Sequence, residues 1–295
     1  MQELPNPCIR LPIGLIQITN NMRKVLVIIP CLNLWDRYTI HCMESIYASK
    51  GDTPFDILIV DNASIDSTEE KARDFGNRKM PERVIVIRNE ENKGCGGGWN
   101  QGVAYGMENG YSHFLILNND ILMGPNTIQN LTDWIDESKA LLVSAVDVSG
   151  ELMVPEHLLN QDNPINHKDR SSAPHPNFSC FMITRETVER VGYFDSITFY
   201  PAYFEDNSYH YRIKLLAGEQ SAVATTVGVF YHYGSRTQNE AVGAPVVPSA
   251  KFEENRRKYI ELWGSEPTKE TYTSPWNDAT LTCKVDKDGN YIKQS

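Results

Sequence analysis

The sequence predicts an α/β fold with a mostly parallel central sheet flanked by helices. Three observations carry that expectation. Val25–Ile29 (VLVII) is a continuous β-branched apolar run and Phe55–Val60 (FDILIV) is nearly one, as strands covered on both faces require. Strand-like and helix-like segments alternate over residues 24–120, the pattern of parallel strands joined by helical crossovers. The polar residues Asn33, Asp61 and Asp120 each fall just after a strand-like run. All three should therefore share the sheet edge where open α/β sheets bind ligands, nucleotides among them.

In order, Val25–Ile29 is the first strand, ended by Pro30. Ile40, Met43, Ile46 and Tyr47 recur at helical spacing within a helix from Arg37 to Ser49. The strand Phe55–Val60 follows. Ser64 or Asp66 is placed to cap a helix from Ser67 to about Phe75. After the strand Val84–Ile87, Asn89–Gly102 (NEENKGCGGGWNQG) reads as a glycine-rich loop with a short helix through Met107 behind it. Phe114–Leu117 is the next strand. The second half reads as a helix over Thr127–Glu137, a strand over Leu141–Val146 and a long polar loop over 150–177. A strand over Phe178–Thr184 leads into a helix, Arg185–Val191, stopped by Gly192. An aromatic-rich loop, Phe194–Phe204, precedes a helix over Glu205–Leu216 and a strand over Ala222–Val229. A loop over 234–250, a helix over Lys251–Leu262 and a polar tail from about Gly264 complete the chain.

With 295 residues, 41% hydrophobic and 22% charged, the chain has the make-up of a folded, enzyme-sized body. Its 28 Lys and Arg against 38 Asp and Glu leave a net charge of −10, which argues against retention on nucleic acid or anionic lipid by bulk charge. The six cysteines are scattered, without a CxxC pair or a metal-type cluster. They point to free thiols in a reducing compartment, and a cytoplasmic location is expected. No apolar run approaches the roughly 18 residues of a membrane helix. Residues 1–21 lack a basic front and a clear cleavage site, so no signal peptide is expected. Peripheral association with a membrane is left open.

Five constellations carry chemistry, each with a plainer alternative. In FLILNNDILM (Phe114–Met123) a buried strand runs into Asn118, Asn119 and Asp120. One carboxylate beside amides suits a hard divalent cation whose remaining ligands are phosphate oxygens and water; the alternative is an Asn/Asp turn. Asp61 is placed to accept from a base N–H or a ribose hydroxyl, or else belongs to a capping turn. The glycines of 94–98 let backbone N–H groups approach a phosphate, or mark a plain flexible loop. A dinucleotide fingerprint there is discounted, because five polar residues separate the strand from the glycines. Glu205 and Asp206 follow a string of aromatics at a helix start, where a carboxylate serves as general base or only as a dipole partner. His232 stands just past a strand end, structural or a metal ligand.

Seven pieces together resemble inverting, family 2-like glycosyltransferases of the GT-A fold, such as the bacterial rhamnosyl- and galactofuranosyltransferases. They are VIIPCLN at 27–33, VDNASIDST at 60–68, NKGCGGGWNQG at 92–102, LNND at 117–120, RETVERVGYFD at 185–195, FED at 204–206 and HYGSRT at 232–237. The resemblance spans about residues 24–240. It implies a Rossmann-like sheet with a smaller acceptor-side sheet and loop region. It divides the chain into an extension (1–21), a nucleotide-sugar-binding half (22–125), an acceptor-binding and catalytic half of the same domain (126–250), and a C-terminal helix and tail (251–295).

Position by position, the resemblance places Asp61 at the uracil or thymine and ribose. It places Asn92 to Asn100, with Gly94, under the donor, and Pro30, Asn33, Asn62, Asn118 and Asn119 around the nucleotide-sugar. Asp120 and His232 become ligands of Mn2+ or Mg2+. Asp206 becomes the catalytic base, with Glu205 beside it. The family's DxD-like motif is NND here, so one carboxylate is replaced by the Asn118 amide, and the acid that commonly follows FED by two positions is Ser208. The implied reaction is in-line transfer from a UDP- or dTDP-sugar to a saccharide hydroxyl, with loops 150–177 and 234–250 closing over the donor. Two rival readings stand beside it. In one, the acceptor is a hydroxymethylated DNA base stacked on aromatics, with Arg170, Arg236, Arg256, Arg257 and Lys258 on phosphates. In the other, the protein is a non-catalytic nucleotide-sugar binder. A saccharide acceptor is favoured over DNA by family weight and by the acidic net charge. Oligomeric state is not encoded in any feature identified.

Overall fold

The computed structural model describes residues 23–149, 172–173, 175–234, 240 and 249–294. The extension 1–21, most of the expected loop 150–177, nearly all of loop 234–250, and with them Arg170 and Arg236, lie outside the described residues.

The first half follows the alternation read from the sequence. β1 (Val25–Cys31), β2 (Phe55–Asp61), β3 (Val84–Arg88) and β4 (His113–Leu117) run parallel in the order β3-β2-β1-β4. The β1 side chains divide between two cores. Val25, Val27 and Ile29 join the cluster containing Met43, Phe75 and Leu131, while Leu26 and Ile28 join Trp99, Phe114 and Tyr209 on the other face. Both faces of the strand are dry, which is why the run is apolar without alternation.

Helix α1 (Ile40–Tyr47) is entered through a π-helical turn, Trp35–Thr39. Helix α2 (Thr68–Lys79) starts without a side-chain cap. Ser64 and Asp66 serve the neighbouring loop instead: the Ser64 hydroxyl accepts from Asn33 N at 2.8 Å, and Asp66 from Trp35 N at 3.1 Å.

The expected glycine-rich loop is not a loop through Gly102. Helix α3 spans Gly94–Glu108 and contains the glycines. The reason is packing. A Cβ on Gly98 would sit 2.9 Å from Pro30 Cβ, one on Gly102 would collide with Ile28 Cγ2, and one on Gly106 would meet Phe114 Cε1 at 2.5 Å. A glycine every fourth residue lets the helix backbone lie directly on β1 and β4.

The other half of the sheet departs from a purely parallel arrangement. β8 (Cys180–Thr184) inserts antiparallel between β4 and β6 (Leu142–Asp147), and β6 pairs parallel with β9 (Ala222–His232). Within this sheet, two of the described strands have no counterpart in the expected elements. β5 (Ile121–Met123) pairs antiparallel with the end of β9, and β7 (Ser172–Ala173), inside the expected loop 150–177, pairs with β9. Helices α4 (Thr127–Ser138), α5 (Arg185–Val191), α6 (Glu205–Ala217) and α7 (Ser249–Trp263) match the periodic segments. The polar stretch after Gly264 is structured: β10 (Leu281–Val285) and β11 (Tyr291–Lys293) form a hairpin, bridged to the α5 end through Gly192 and Val285.

Alanine normally stabilises a helix interior by about 1 kcal/mol over glycine. At Gly102 the collision with Ile28 reverses the sign. Gly102→Ala is expected to destabilise by about 1–3 kcal/mol, as overpacked sites do, and a denaturation midpoint measures it. A raised midpoint would show that α3 does not lie this close to β1.

Candidate active site

The ends of β1, β2 and β4 place Asn33, Asp61 and Asp120 on one edge, as the alternation predicts. Asp61 is fully buried. It sits opposite Arg88 across the β2–β3 ladder, so the Arg88 guanidinium reaches Asp61 Oδ2 at 2.5 Å, while Ser64 N donates to Oδ1 at 2.8 Å. The two loops of this edge lock to each other: Asn33 Oδ1 accepts from Ile65 N at 2.7 Å. Asn33, Leu34 and Ala63 hold left-handed backbone there, a conformation an Asn tolerates and a Leu or Ala adopts at a cost. Asn62 links the β2 end to α3, donating to Gly94 O at 3.3 Å and accepting from Asn89 Nδ2 at 2.9 Å. Asn92 Oδ1 accepts from Gly94 N at 2.8 Å.

The NND turn is shaped by β5. Ile121 pairs with His232 on β9, so the imidazole comes to rest beside the residue before it in the chain. Asp120 Oδ1 and His232 Nε2 are 3.2 Å apart, and Asn118 Nδ2 lies 3.5 Å from the same nitrogen. Asn119 is engaged elsewhere and donates to Thr39 Oγ1 at 3.0 Å. Among the described residues no group of three or more His, Cys, Asp or Glu could hold a metal. One carboxylate, one imidazole and a nearby amide nevertheless suit an ion that keeps few protein ligands and completes its shell with phosphate oxygens and water. The residues present fit Mn2+ or Mg2+ carried with a diphosphate.

The two acids open α6 behind Phe204, whose backbone is left-handed at φ 75°. Glu205 is buried, 4% exposed, and its Oε2 has no hydrogen-bond partner. Burial and the neighbouring Asp206 charge push its carboxyl well above the usual range. Asp206 is half-buried, accepts from Asn207 N at 2.8 Å, and is also raised, mainly by burial. Both acids and Asp120 act on the same thiol: burial first, then the charges of Glu205, Asp206 and Asp120, raise Cys95 in the first turn of α3. The first turn of α3 packs against Glu205: a Cβ on Gly96 would lie 3.6 Å from Glu205 Cγ.

The aromatic loop before α6 is pinned by residues that the sequence reading did not single out for that role. Asn255 on α7 donates to Phe199 O at 3.1 Å and Ala202 O at 2.8 Å, and Cys95 N donates to Pro201 O at 2.9 Å. Asn100, expected under the donor, exchanges hydrogen bonds with Phe194 N and O, each at 2.8 Å, so its amide is engaged by this loop. Ser208, where the resemblance expects an acid, accepts from Trp263 Nε1 at 3.1 Å and lies 3.4 Å from the Tyr291 hydroxyl. Arg212, fully buried, donates to Val191 O and Tyr193 O. Arg88 and Asn255 left only a faint signal: a cation ending a strand, and an amide among apolar helix positions.

The raised Glu205 carboxyl has a thermodynamic consequence. The folded state holds its proton more tightly than the unfolded chain. Its contribution is therefore full below the unfolded value of about 4.3 and is lost as pH rises through the raised folded value. Glu205→Gln is expected to be more stable than the wild type at pH 8 and to lose that advantage below about pH 4, by thermal denaturation across pH. A variant less stable than the wild type at pH 8 would mean that an ionised Glu205 is compensated there.

The sequence profile of Glycosyl transferase family 2 matches residues 26–192, more than half of the chain. No curated protein sequence matches the chain. Solved structures share its fold. The crystal structure of S. aureus TarS 1-349 superposes with a TM-score of 0.51 at 15% identity, covering 81% of this chain and 71% of that one. The same protein in complex with UDP gives 0.51 at 16% identity, with 83% and 73% covered. GalNAc-T7 with UDP, GalNAc and Mn2+ gives 0.55 at 14% identity; it covers 82% of this chain, which spans 55% of that one. With the profile matched across β1 to α5 and the GT-A architecture in place, the chain belongs to glycosyl transferase family 2 and is a glycosyltransferase.

Proposed function

We propose that the protein transfers a sugar from a UDP- or dTDP-sugar to a saccharide hydroxyl with inversion at the anomeric carbon. The observation that carries this reading is the Asp120–His232 contact of 3.2 Å beyond the end of β4, together with the Glu205–Asp206 pair at the start of α6, whose Glu205 packs on the first turn of α3. The buried edge around Asp61 and Asn33 is the nucleoside side of the site. The UDP in the TarS and GalNAc-T7 structures supports a uridine donor.

Asp120 and His232, with the Asn118 amide near, would hold the divalent cation, and the Mn2+ of the GalNAc-T7 structure supports that choice. Bound there, the cation would supply neutralisation of the diphosphate leaving group. Asp206 takes the proton of the acceptor hydroxyl as that oxygen attacks the anomeric carbon. The bond to the diphosphate oxygen breaks with its electron pair, and the nucleoside diphosphate departs from the opposite face. Burial disfavours ionisation of Glu205, which leaves Asp206, open to the cleft, the better placed of the two acids to take a proton.

The described cysteines, Cys31, Cys42, Cys95, Cys180 and Cys283, are all free, which supports a reducing, cytoplasmic setting. No helix among the described residues is long and apolar enough to cross a membrane.

A thermal-shift panel of UDP-, dTDP- and GDP-sugars with and without Mn2+ tests the donor side. One nucleotide at about 100 times its Kd should add about 2.7 kcal/mol. Asp120→Ala should remove the metal-dependent part, and absence of any shift from folded protein would refute the donor site. Asp206→Asn should keep the donor shift and lose transfer by about 10²–10⁴-fold. In the wild type, the transfer rate should fall as pH drops through the raised Asp206 value. A variant with near-normal transfer would mean that Asp206 is not the base.

A further inference from the structure

Beyond Asp206 a cleft of about 290 Å³ runs along α6. Asp206, His210 and Lys214 recur every fourth residue and so form one helix face of it. One wall is His175 to Phe178. The other is the segment from Pro267 to Glu270, from the part of the chain expected to be a tail. That segment is fixed in place. Glu270 accepts from the Tyr259 hydroxyl at 2.5 Å and from Thr268 N at 3.0 Å, and the Tyr211 hydroxyl donates to Tyr272 O at 2.7 Å.

The chemistry of the lining is selective. Three carboxylates, Asp206, Glu219 and Glu270, stand against Lys214, which is itself paired with Glu219 at 2.7 Å. Such a cleft repels a phosphate or a nucleic-acid backbone. The rings of His175 and His210 meet edge to face, with centroids 6.3 Å apart. Burial, followed by the His175 charge, pushes His210 below its ordinary value, so it is neutral near pH 7. A neutral imidazole donates one hydrogen bond and accepts another, as a sugar hydroxyl does. Phe178 and Tyr211 add apolar surface. The volume is at the lower end for small-molecule pockets, room for a small sugar unit.

We infer that this cleft is the subsite for an uncharged saccharide acceptor, and that His210 and the 267–270 segment determine which sugar it takes. Both lie outside the residues matched by the family profile. The inference rests on Asp206 as the base, because that carboxylate opens into the cleft.

The test uses the full chain and the nucleotide-sugar that stabilises it most. Acceptors are methyl glycosides of neutral hexoses, the corresponding sugar phosphates, and an oligonucleotide carrying 5-hydroxymethylcytosine. Transfer to a neutral glycoside should exceed transfer to the charged acceptors. His210→Ala and, independently, Thr268→Trp, which fills the cleft from the other wall, should each raise the acceptor KM about tenfold or more, the worth of one lost hydrogen bond or more. The donor-induced thermal shift should persist in both, which also reports that they fold. Unchanged acceptor KM in both variants, or preference for a phosphorylated or DNA acceptor, overturns the cleft assignment and leaves the roles of Asp120 and Asp206 standing. A wild type that turns over no donor with any acceptor or with water removes the catalytic reading and this inference with it.

Discussion

The site depends on how closely helix α3 lies on the sheet. Gly98, Gly102 and Gly106 place bare backbone against Pro30, Ile28 and Phe114. That contact sets the height of the whole helix above β1. Its first turn then meets Pro201 through Cys95 N, and its second turn holds Phe194 through Asn100. The loop carrying the aromatics and the two acids of α6 is thus referenced to the first strand of the sheet. A larger residue in the stripe would lift the helix and alter the distance between the strand ends and the two acids of α6.

Electrostatics at the site come from burial more than from paired charges. Asp61 and Asp120 are the exceptions: Arg88 and a backbone N–H meet Asp61, and His232 lies 3.2 Å from Asp120. Glu205 is buried without a counter-ion among its described neighbours, and Asp206 is half-buried beside it. Two adjacent acids in a dry site do not both ionise readily. Burying Glu205 while Asp206 opens to a cleft gives the two acids different environments. This arrangement costs stability, as functional sites commonly do.

The C-terminal region buttresses α6, the helix that carries the proposed base. Trp263, Tyr259, Leu262 and Phe199 form a third core with Phe204 and Tyr211. Within it the Trp263 indole donates to Ser208, in the first turns of α6. The missing acid of the extended FED motif is therefore replaced by a hydroxyl that the C-terminal region engages. Family membership rests on residues 26–192, yet the helix carrying the proposed base is fixed from beyond residue 250. The stretch after Gly264 reads as a polar tail because its strands are short: β11 is three residues long.

The sequence by itself determined the parallel half of the sheet and the edge where its polar residues gather. A strand buried on both faces must be apolar throughout, so the polar residues that interrupt it can only collect at its ends. Asn33, Asp61 and Asp120 were legible for that reason, as was the helix that Glu205 opens. Tertiary structure alone decided the rest. The glycines of 94–98 looked like a flexible loop, because glycine disfavours helix locally and only the underlying strand supplies the reason for helix without side chains. Asp120 and His232 are 112 residues apart, and nothing local joins them; the three-residue pairing of β5 with β9 does. The amides were equally opaque. Asn100 and Asn119 have the chemistry of ligands, but the backbone and hydroxyl groups that packing brought to them, Phe194 and Thr39, engage that chemistry inside the fold.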